Sequence, residues 1–443
     1  MLLTILFFIL SFYLIYMLFQ IWKDNGVSLI LKVSLMFLFG FWYFIPYLTT
    51  SESSPIRNFP LISYDKYIMY YIIEAIYWIV SLHLFRFLNK RFKRYNNTST
   101  LFGGDFQFNK QVQNLIFWVF IVVCTIRVFN KVGSMEAYLL TNAVGYRERN
   151  GLMNMVFHFA PQILLFYIFF QYKKMSKLKI WLAISLIIVS SMASFFHGTR
   201  IAIMMPLAIF IIIYFQTRSR VLFGAVVGVS VVALVMAPIL SVWRQSGEER
   251  FDMNTTSSYK GQNTRSIFEE LNIKTISVYH GAVMCERVGW GVAPQVILNT
   301  ILCNIPIGNR PVPLSVNGEE SGTISRVAAQ INGGSYYDYI DDNSIGSTGT
   351  RESEVALFVA GIWGIIISVI ACGFLIWLCN TWLMSGVLFP CAFALSILQF
   401  GEFENPFSPL SFIRDFPRYL FVYVLFWIVA NLLFVRSSKR VEY

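Results

Sequence analysis

Arginine is the residue in this chain whose placement invites chemistry. It recurs in five short polar clusters: Gly145-Tyr146-Arg147-Glu148-Arg149-Asn150, His197-Gly198-Thr199-Arg200, Asn263-Thr264-Arg265, Gly308-Asn309-Arg310-Pro311 and Arg414-Asp415-Phe416-Pro417-Arg418. A guanidinium is costly in or near a bilayer and marks a pathway or an anion site there. Its planar fork matches phosphate oxygens two at a time. Arg147, Arg200, Arg265, Arg310 and Arg418 are therefore candidate ligands for an anion, and phosphate is the anion their geometry suits. Proton transfer needs a base beside such a site. Glu354 at the head of an apolar run, Glu404 in Gly401-Glu402-Phe403-Glu404-Asn405, and His280 in Ser277-Val278-Tyr279-His280-Gly281 are the candidates for that catalytic part. Tyr336 and Tyr337, after Gly333-Gly334-Ser335, offer faces for stacking on sugar rings. Each residue also has a plainer reading. Arg147 flanks Glu148 as surface charge would, Arg200 fits a tight turn whose side chain snorkels to headgroups, and Glu354 suits the positive end of a helix. The sequence contains no His-Glu zinc pattern, no acidic calcium loop and no Gly-rich phosphate loop with lysine. No metal and no cofactor is expected.

The elements that must hold these residues are membrane helices. Of 443 residues, 56% are hydrophobic and 13% charged, and the mean hydropathy is +0.59. Soluble domains carry about 25% charged residues. A spanning helix takes about 20 apolar residues, and about eleven stretches approach this: Met1–Trp22, Leu29–Leu48, Tyr67–Leu88, Leu115–Phe129, Met153–Tyr172, Ile180–Phe196, Ile201–Phe215, Val221–Trp243, Ala356–Leu378, Thr381–Phe400 and Tyr419–Val435. The fold expected is an all-α polytopic membrane protein of about eleven transmembrane helices with one long external loop between helices 8 and 9. Residues 1–243 would hold helices 1–8, residues 244–355 the loop with short helices, and residues 356–443 helices 9–11 and a tail. Met1–Trp22 lacks the charged start and small-residue cleavage site of a signal peptide and reads as a retained helix.

Lysine and arginine in short loops set orientation. With that number of spans, alternation puts Asn89–Arg94, Lys173–Lys179, Thr217–Arg220 and the C-terminus on one side, and all four are basic. They should be cytoplasmic, which places the five arginine clusters and the long loop outside. The net charge of +11 therefore reads as topology signal plus anion site, not as nucleic-acid binding. Within the loop, Val292–Ile305 is too short to span and suits an interfacial or re-entrant helix. Cys124, Cys372 and Cys391 fall in apolar runs and Cys379 at a helix end, as small packing residues; Cys285 and Cys303 lie in the loop, where a disulfide would need an oxidising side.

The order of these features resembles the Wzy-type polymerases of bacterial surface polysaccharides. Ser194-Phe195-Phe196-His197-Gly198-Thr199-Arg200-Ile201-Ala202 looks like that family's small-residue-Gly-Thr/Ser-Arg corner between central helices. The external loop follows two helices later, with Arg265 near its start and Ile305-Pro306 to Arg310-Pro311 in its middle. A Gly-rich segment then enters a helix at Glu354, with Gly361-Ile362-Trp363-Gly364 inside it. The layout is closest to enterobacterial common antigen polymerases. The resemblance implies a GT-C-like glycosyltransferase of the bacterial cytoplasmic (inner) membrane. Its substrate would be an undecaprenyl-diphosphate-linked oligosaccharide, transferred to the non-reducing end of another lipid-linked repeat unit on the outer face. A Wzz-type chain-length regulator would be its partner beside membrane lipid. Diphosphate would then fall to Arg200 and Arg265, with Arg147 and Arg418 beside them. An O-antigen ligase and a flippase or transporter for the same glycan are the alternatives; the ligases depend on a loop histidine, and the surroundings of His280 do not match their pattern.

Overall fold

The computed structural model describes residues 2–44, 63–92, 110–132, 152–172, 174–192, 201–218, 224, 227–228, 281–282, 285–286, 289–302, 314–316, 319–321, 351–398 and 407–438. The architecture there is helical. In chain order the helices are α1 (Leu2–Lys23), α2 (Leu29–Leu38, continued by a π-helical turn Phe39–Phe44), α3 (Tyr64–Arg91), α4 (Lys110–Val132), α5 (Leu152–Phe170), α6 (Lys177–Met192), α7 (Ile201–Thr217), α8 (Gln295–Leu302), α9 (Glu352–Ser385), α10 (Leu388–Ile397) and α11 (Pro409–Ser438). Between α8 and α9, β1 (Leu314–Val316) and β2 (Glu319–Ser321) pair antiparallel with Ser315 opposite Glu320. This hairpin is a small departure from an all-α chain. Among the described residues, four helices are long and apolar enough to cross a membrane: Leu2–Lys23, Asp65–Arg91, Val112–Phe129 and Glu352–Ser385. Val221–Trp243 lies almost wholly outside the described residues.

The helices follow from apolar runs whose buried stripes recur three or four residues apart. On α1, Phe7, Ser11, Leu14, Leu18 and Ile21 are buried, while Ile5, Ile9, Phe12 and Phe19 are exposed. An apolar residue on both faces is the mark of a helix that meets protein on one side and lipid on the other.

Several boundaries differ from the hydropathy reading: α4 starts at Lys110 and not Leu115, α11 at Pro409 and not Tyr419, and both ends of α9 move. Helix α9 starts at Glu352, four residues before Ala356, and runs on through Cys379 to Ser385. Nothing between Leu378 and Ser385 breaks a helix, and Asn380 finds partners for its amide inside the protein. Thr381–Ser385 therefore completes α9 instead of opening the next helix. The stop comes at Gly386, which takes φ +64°, the left-handed end that glycine allows.

The chain forms two compact units. The first contains Met1–Lys93, Arg265–Asn380 and Phe403–Arg414; the second contains Arg94–Thr264, Thr381–Glu402 and Asp415–Tyr443. In the first, one end is tied by amides. Asn380 Oδ1 accepts from Ser28 N–H at 2.9 Å, and Asn380 Nδ2 donates to Gly26 O at 3.0 Å and Asn89 Oδ1 at 3.1 Å. The α1–α2 turn, the end of α3 and the far part of α9 thus meet at one level, as up-and-down helices require. In the second unit, Lys179 Nζ donates to Asn114 Oδ1 at 2.6 Å, Tyr167 Oη donates to Gln113 O at 2.6 Å, and Gln216 Nε2 donates to Phe169 O at 3.1 Å. Starts of α4 and α6 and ends of α5 and α7 meet there, again in alternation.

One helix is broken. Ala360 (φ −138°, ψ 20°) and Gly361 (φ +63°, ψ −147°) interrupt α9 after its first two turns. The carbonyls freed by the break are taken up by a crossing strand of chain: Gly291 N–H donates to Leu357 O and Val292 N–H to Phe358 O, both at 3.0 Å. Residues 351–359 are buried on every side. Past the break, Ile362, Trp363, Ile366, Ile367, Ile370 and Phe374 form an exposed apolar stripe. The first eight residues of α9 are thus a core helix, and the remainder is the lipid-suited part.

Candidate functional site

Three charged residues and a serine follow one another at the buried head of α9: Arg351 directly before it, then Glu352, Ser353 and Glu354. Arg351 is 3% exposed, Glu352 7%, Glu354 1%, and Glu74 on α3 5%. Lys, Glu, Arg and Asp are almost never this buried unless paired. The pairing here is incomplete. Arg351 lays its guanidinium over the Tyr71 ring, 3.7 Å from its centroid, but Nε, Nη1 and Nη2 have no hydrogen-bond partner among the described residues. Glu354 Oε1 and Oε2 have none either. The donor closest to serving that carboxylate is the Arg351 backbone N–H, as a third-position glutamate is served at its N-cap.

Glu74 is held more fully. Its Oε1 accepts from Trp78 Nε1 at 2.5 Å, and its Oε2 accepts from Ser353 Oγ. That contact pins the head of α9 to α3. Glu352 accepts from Ser408, which brings in the start of α11. On the remaining side, the helical residues Gly281, Ala282, Cys285 and Glu286 pack over the site. Gly281 lies against the Glu354 carboxylate so closely that a Cβ there would overlap it. The Cys285 thiol, free and buried, donates to Glu354 O at 3.5 Å. Glu286 forms an ion pair with Lys66 and accepts from Tyr70 Oη at 3.1 Å. Tyr43, Tyr67 and Tyr71 stand beside the cluster, with Tyr67 Oη donating to Tyr71 Oη at 3.0 Å and Tyr43 and Tyr71 ring centroids 6.0 Å apart.

The electrostatics are mutual. Burial works against the charge on Arg351, and the oxygens of Tyr71, Glu354, Glu74 and Tyr67 reverse it, so its pKa lies above the ordinary arginine value. Burial pushes the Cys285 thiol up, with Glu354 and Glu286 adding to it, so the thiol stays protonated. The site can therefore offer a guanidinium with unspent donors beside a carboxyl with unspent acceptors, in surroundings where such groups act more strongly than in water.

Of the residues singled out from the sequence, Glu354 is at the centre of this cluster. Arg147, Arg200, Arg265, Arg310, His280, Glu404, Tyr336 and Tyr337 lie outside the described residues, as does Cys303. Arg418 is on α11, its side chain outside the description. Sequence reasoning noticed Arg351 leading into the helix and Glu74 as an exceptional charge in an apolar helix, but made neither a site residue. Both had a legible signal. Arginine is a poor N-cap, and a cation at a helix N-terminus opposes the dipole, so Arg351 directly before an apolar run is anomalous. Glu74 stands well inside α3, away from either end, where a carboxylate is expensive.

Compared with known proteins, the chain matches no family model, no curated protein and no solved structure.

Proposed function

We propose that the chain is a membrane-embedded glycosyltransferase of the polysaccharide-polymerase type. It takes a glycan from an undecaprenyl-diphosphate carrier and joins it to another lipid-linked repeat unit at the outer face of a bacterial cytoplasmic membrane, with a Wzz-type regulator as partner. The supporting observation is Arg351: a buried guanidinium with its donors unspent, beside a carboxyl, in a chain of apolar helices. In the reaction the bond from the anomeric carbon to the diphosphate breaks. A bond from that carbon to the acceptor hydroxyl forms. The hydroxyl proton passes to a base, Glu354, Glu404 or His280, and the lipid diphosphate leaves with the bonding pair. Charge develops on the leaving diphosphate, and arginine forks in a dry site stabilise it. Arg351 joins Arg147, Arg200, Arg265, Arg310 and Arg418 as a group for that charge.

The test is purified protein with lipid-linked repeat units, read as product ladders on a gel. Wild type gives a ladder, and Arg351→Ala lowers the rate by about 10²-fold or more, the scale of losing one group that stabilises a developing anion. A folded Arg351→Ala protein with an unchanged ladder would sink the assignment of this residue.

A second reading has one observation in its favour. Glu74 is buried in the interior of a helix long enough to span, and such groups mark transit paths. A carrier for the same lipid would give no ladder and would move the lipid across vesicles.

A further inference from the structure

Helix rise fixes depth in the first unit. Asn380 on α9 donates to Asn89 on α3 at 3.1 Å, so the two mark one level. An α-helix climbs about 1.5 Å per residue from there. Tyr77 on α3 and Ser368 on α9 are then each about 18 Å above it, and their hydroxyls do meet, at 3.0 Å. The two helices run in step. On the same scale Ile362 of α9 and Tyr70 of α3 come at about 27 to 29 Å, close to the hydrocarbon thickness of about 30 Å.

The head of α9 leaves this ladder. Continued straight, the helix would lift Ser353 to about 40 Å. Ser353 Oγ instead donates to Glu74, whose place on α3 is at about 22 Å. Arg351 lies on Tyr71, at about 27 Å. Ala356 O comes so near Gly364 that a Cβ on that glycine would overlap it, whereas in a straight helix the two residues stand about 12 Å apart. The head therefore folds over at Ala360–Gly361 and returns to membrane depth, and only the part from Ile362 onward crosses.

Surface character changes at the level of this fold. On α3, Asp65 and Lys66 are exposed at the start, and Ile76, Val80 and Phe87 further in. On α9 exposure begins with Ile362 and Trp363. Trp290, also exposed, donates through Nε1 to Tyr70 Oη at 3.4 Å. A Cβ on Gly291 would press on Gly361 N, so Trp290 and Trp363 flank one crossing. Helix α8 follows; at about 12 Å it is too short to span. It buries Val296 and exposes Ile297, Leu298 and Ile301.

We propose that the membrane boundary away from Asn380 passes through the α9 break, and that Trp290, Trp363 and the exposed face of α8 form a contact surface for lipid at the headgroup–acyl boundary. Lipid is the occupant because Trp363 continues into Ile366, Ile367, Ile370 and Phe374, the stripe a spanning helix turns to the bilayer. Tryptophan, with an apolar body and a polar tip, belongs at that boundary. The placement stands without the glycosyl-transfer reading. Its consequence rests on that reading: a lipid-borne glycan approaches the α9 head along this surface without leaving the leaflet.

Tryptophan quenching of the purified full chain in phosphatidylcholine vesicles tests the placement without any activity. The acyl chains carry bromine either near the headgroup or near the chain end. The signal of Trp363, taken as wild type less Trp363→Phe, should lose more fluorescence to the shallow bromine than to the deep. A tryptophan placed on α8 by Leu298→Trp should do the same. Ile370→Trp, at an exposed position about 15 Å from the level of Asn380, should show the reverse order. Deep bromine quenching Trp363 or the α8 probe best would put the break inside the bilayer and overturn the proposal. Quenching by aqueous iodide alone would put the surface in water, and quenching by neither would put a second copy over it; each is equally fatal. Trp363 is on the surface, so its replacement by Phe decides alone should the other variants not fold. The expected quenching in a protein that makes no ladder would sink the transfer reading and leave the placement standing.

Discussion

At Gly281 a single hydrogen atom decides whether the site exists. The glycine backbone touches the Glu354 side chain, and a methyl group would overlap the carboxylate and crowd its Cβ. Overpacking of a well-packed interior costs about 1–3 kcal/mol. Gly281→Ala should therefore lower stability by about that amount and displace Glu354. A denaturation midpoint equal to wild type would show that the segment does not pack as described. Arg351 makes the complementary point. Its guanidinium lies flat on Tyr71, and an ammonium has neither that planar face nor the fork. The conservative change Arg351→Lys should resemble Arg351→Ala in the ladder assay more than it resembles wild type. In the sequence Gly281 stands out only as the residue after His280, and Arg351 only as a neighbour of an apolar run. Their importance comes from contacts distant in sequence, Gly281 with Glu354 and Arg351 with Tyr71 on α3. Periodicity carries no record of such partners, whereas a cation at a helix start and a carboxylate inside an apolar helix do leave a trace.

Helix α9 shows what hydropathy can and cannot read. Its apolar run predicted a helix from Ala356, and a helix is there, but the helix begins at Glu352 and is broken at Ala360–Gly361. Gly361 was legible as a glycine within the run, not as a break, because the break depends on a crossing segment. Gly291 and Val292 supply the N–H groups that two α9 carbonyls would otherwise seek within the helix. Non-helical backbone at such a position is tolerated where protein re-satisfies it. The conformation at Gly361, φ +63° with ψ −147°, is open essentially to glycine alone. Gly361→Ala should cost about 1–3 kcal/mol, read as a lower thermal midpoint in detergent. If alanine leaves the midpoint unchanged, α9 is continuous there. The hairpin β1–β2 had a signal too, since Asn317-Gly318 lies between its strands and that pair favours two-residue turns.

For the whole molecule the question is which ends share a side. In the first unit the amides of Asn380 and Asn89 join Gly26 and Ser28, and Lys90 and Arg91 follow directly on Asn89. At the opposite end of α3, Lys66 pairs with Glu286, and Gly291 and Val292 bind the head of α9. In the second unit the basic residues Lys179 and Arg218 fall at or next to the end where α4 to α7 meet. Lys90 and Arg91 in the first unit and Lys179 and Arg218 in the second thus each lie at or next to an end tied by amides, and basic residues at helix ends are the orientation signal expected of a cytosolic side. Single cysteines tested with a membrane-impermeant thiol reagent give the answer. Asp65→Cys and Val292→Cys, both at exposed positions, should label in intact cells once any outer membrane is permeabilised. Lys90→Cys and Arg218→Cys should label only after the inner membrane is opened. Labelling of Val292→Cys only after the inner membrane is opened would put the α9 head in the cytosol. A lipid-linked glycan presented outside could not then reach Arg351, and the transferase reading would fall with the topology.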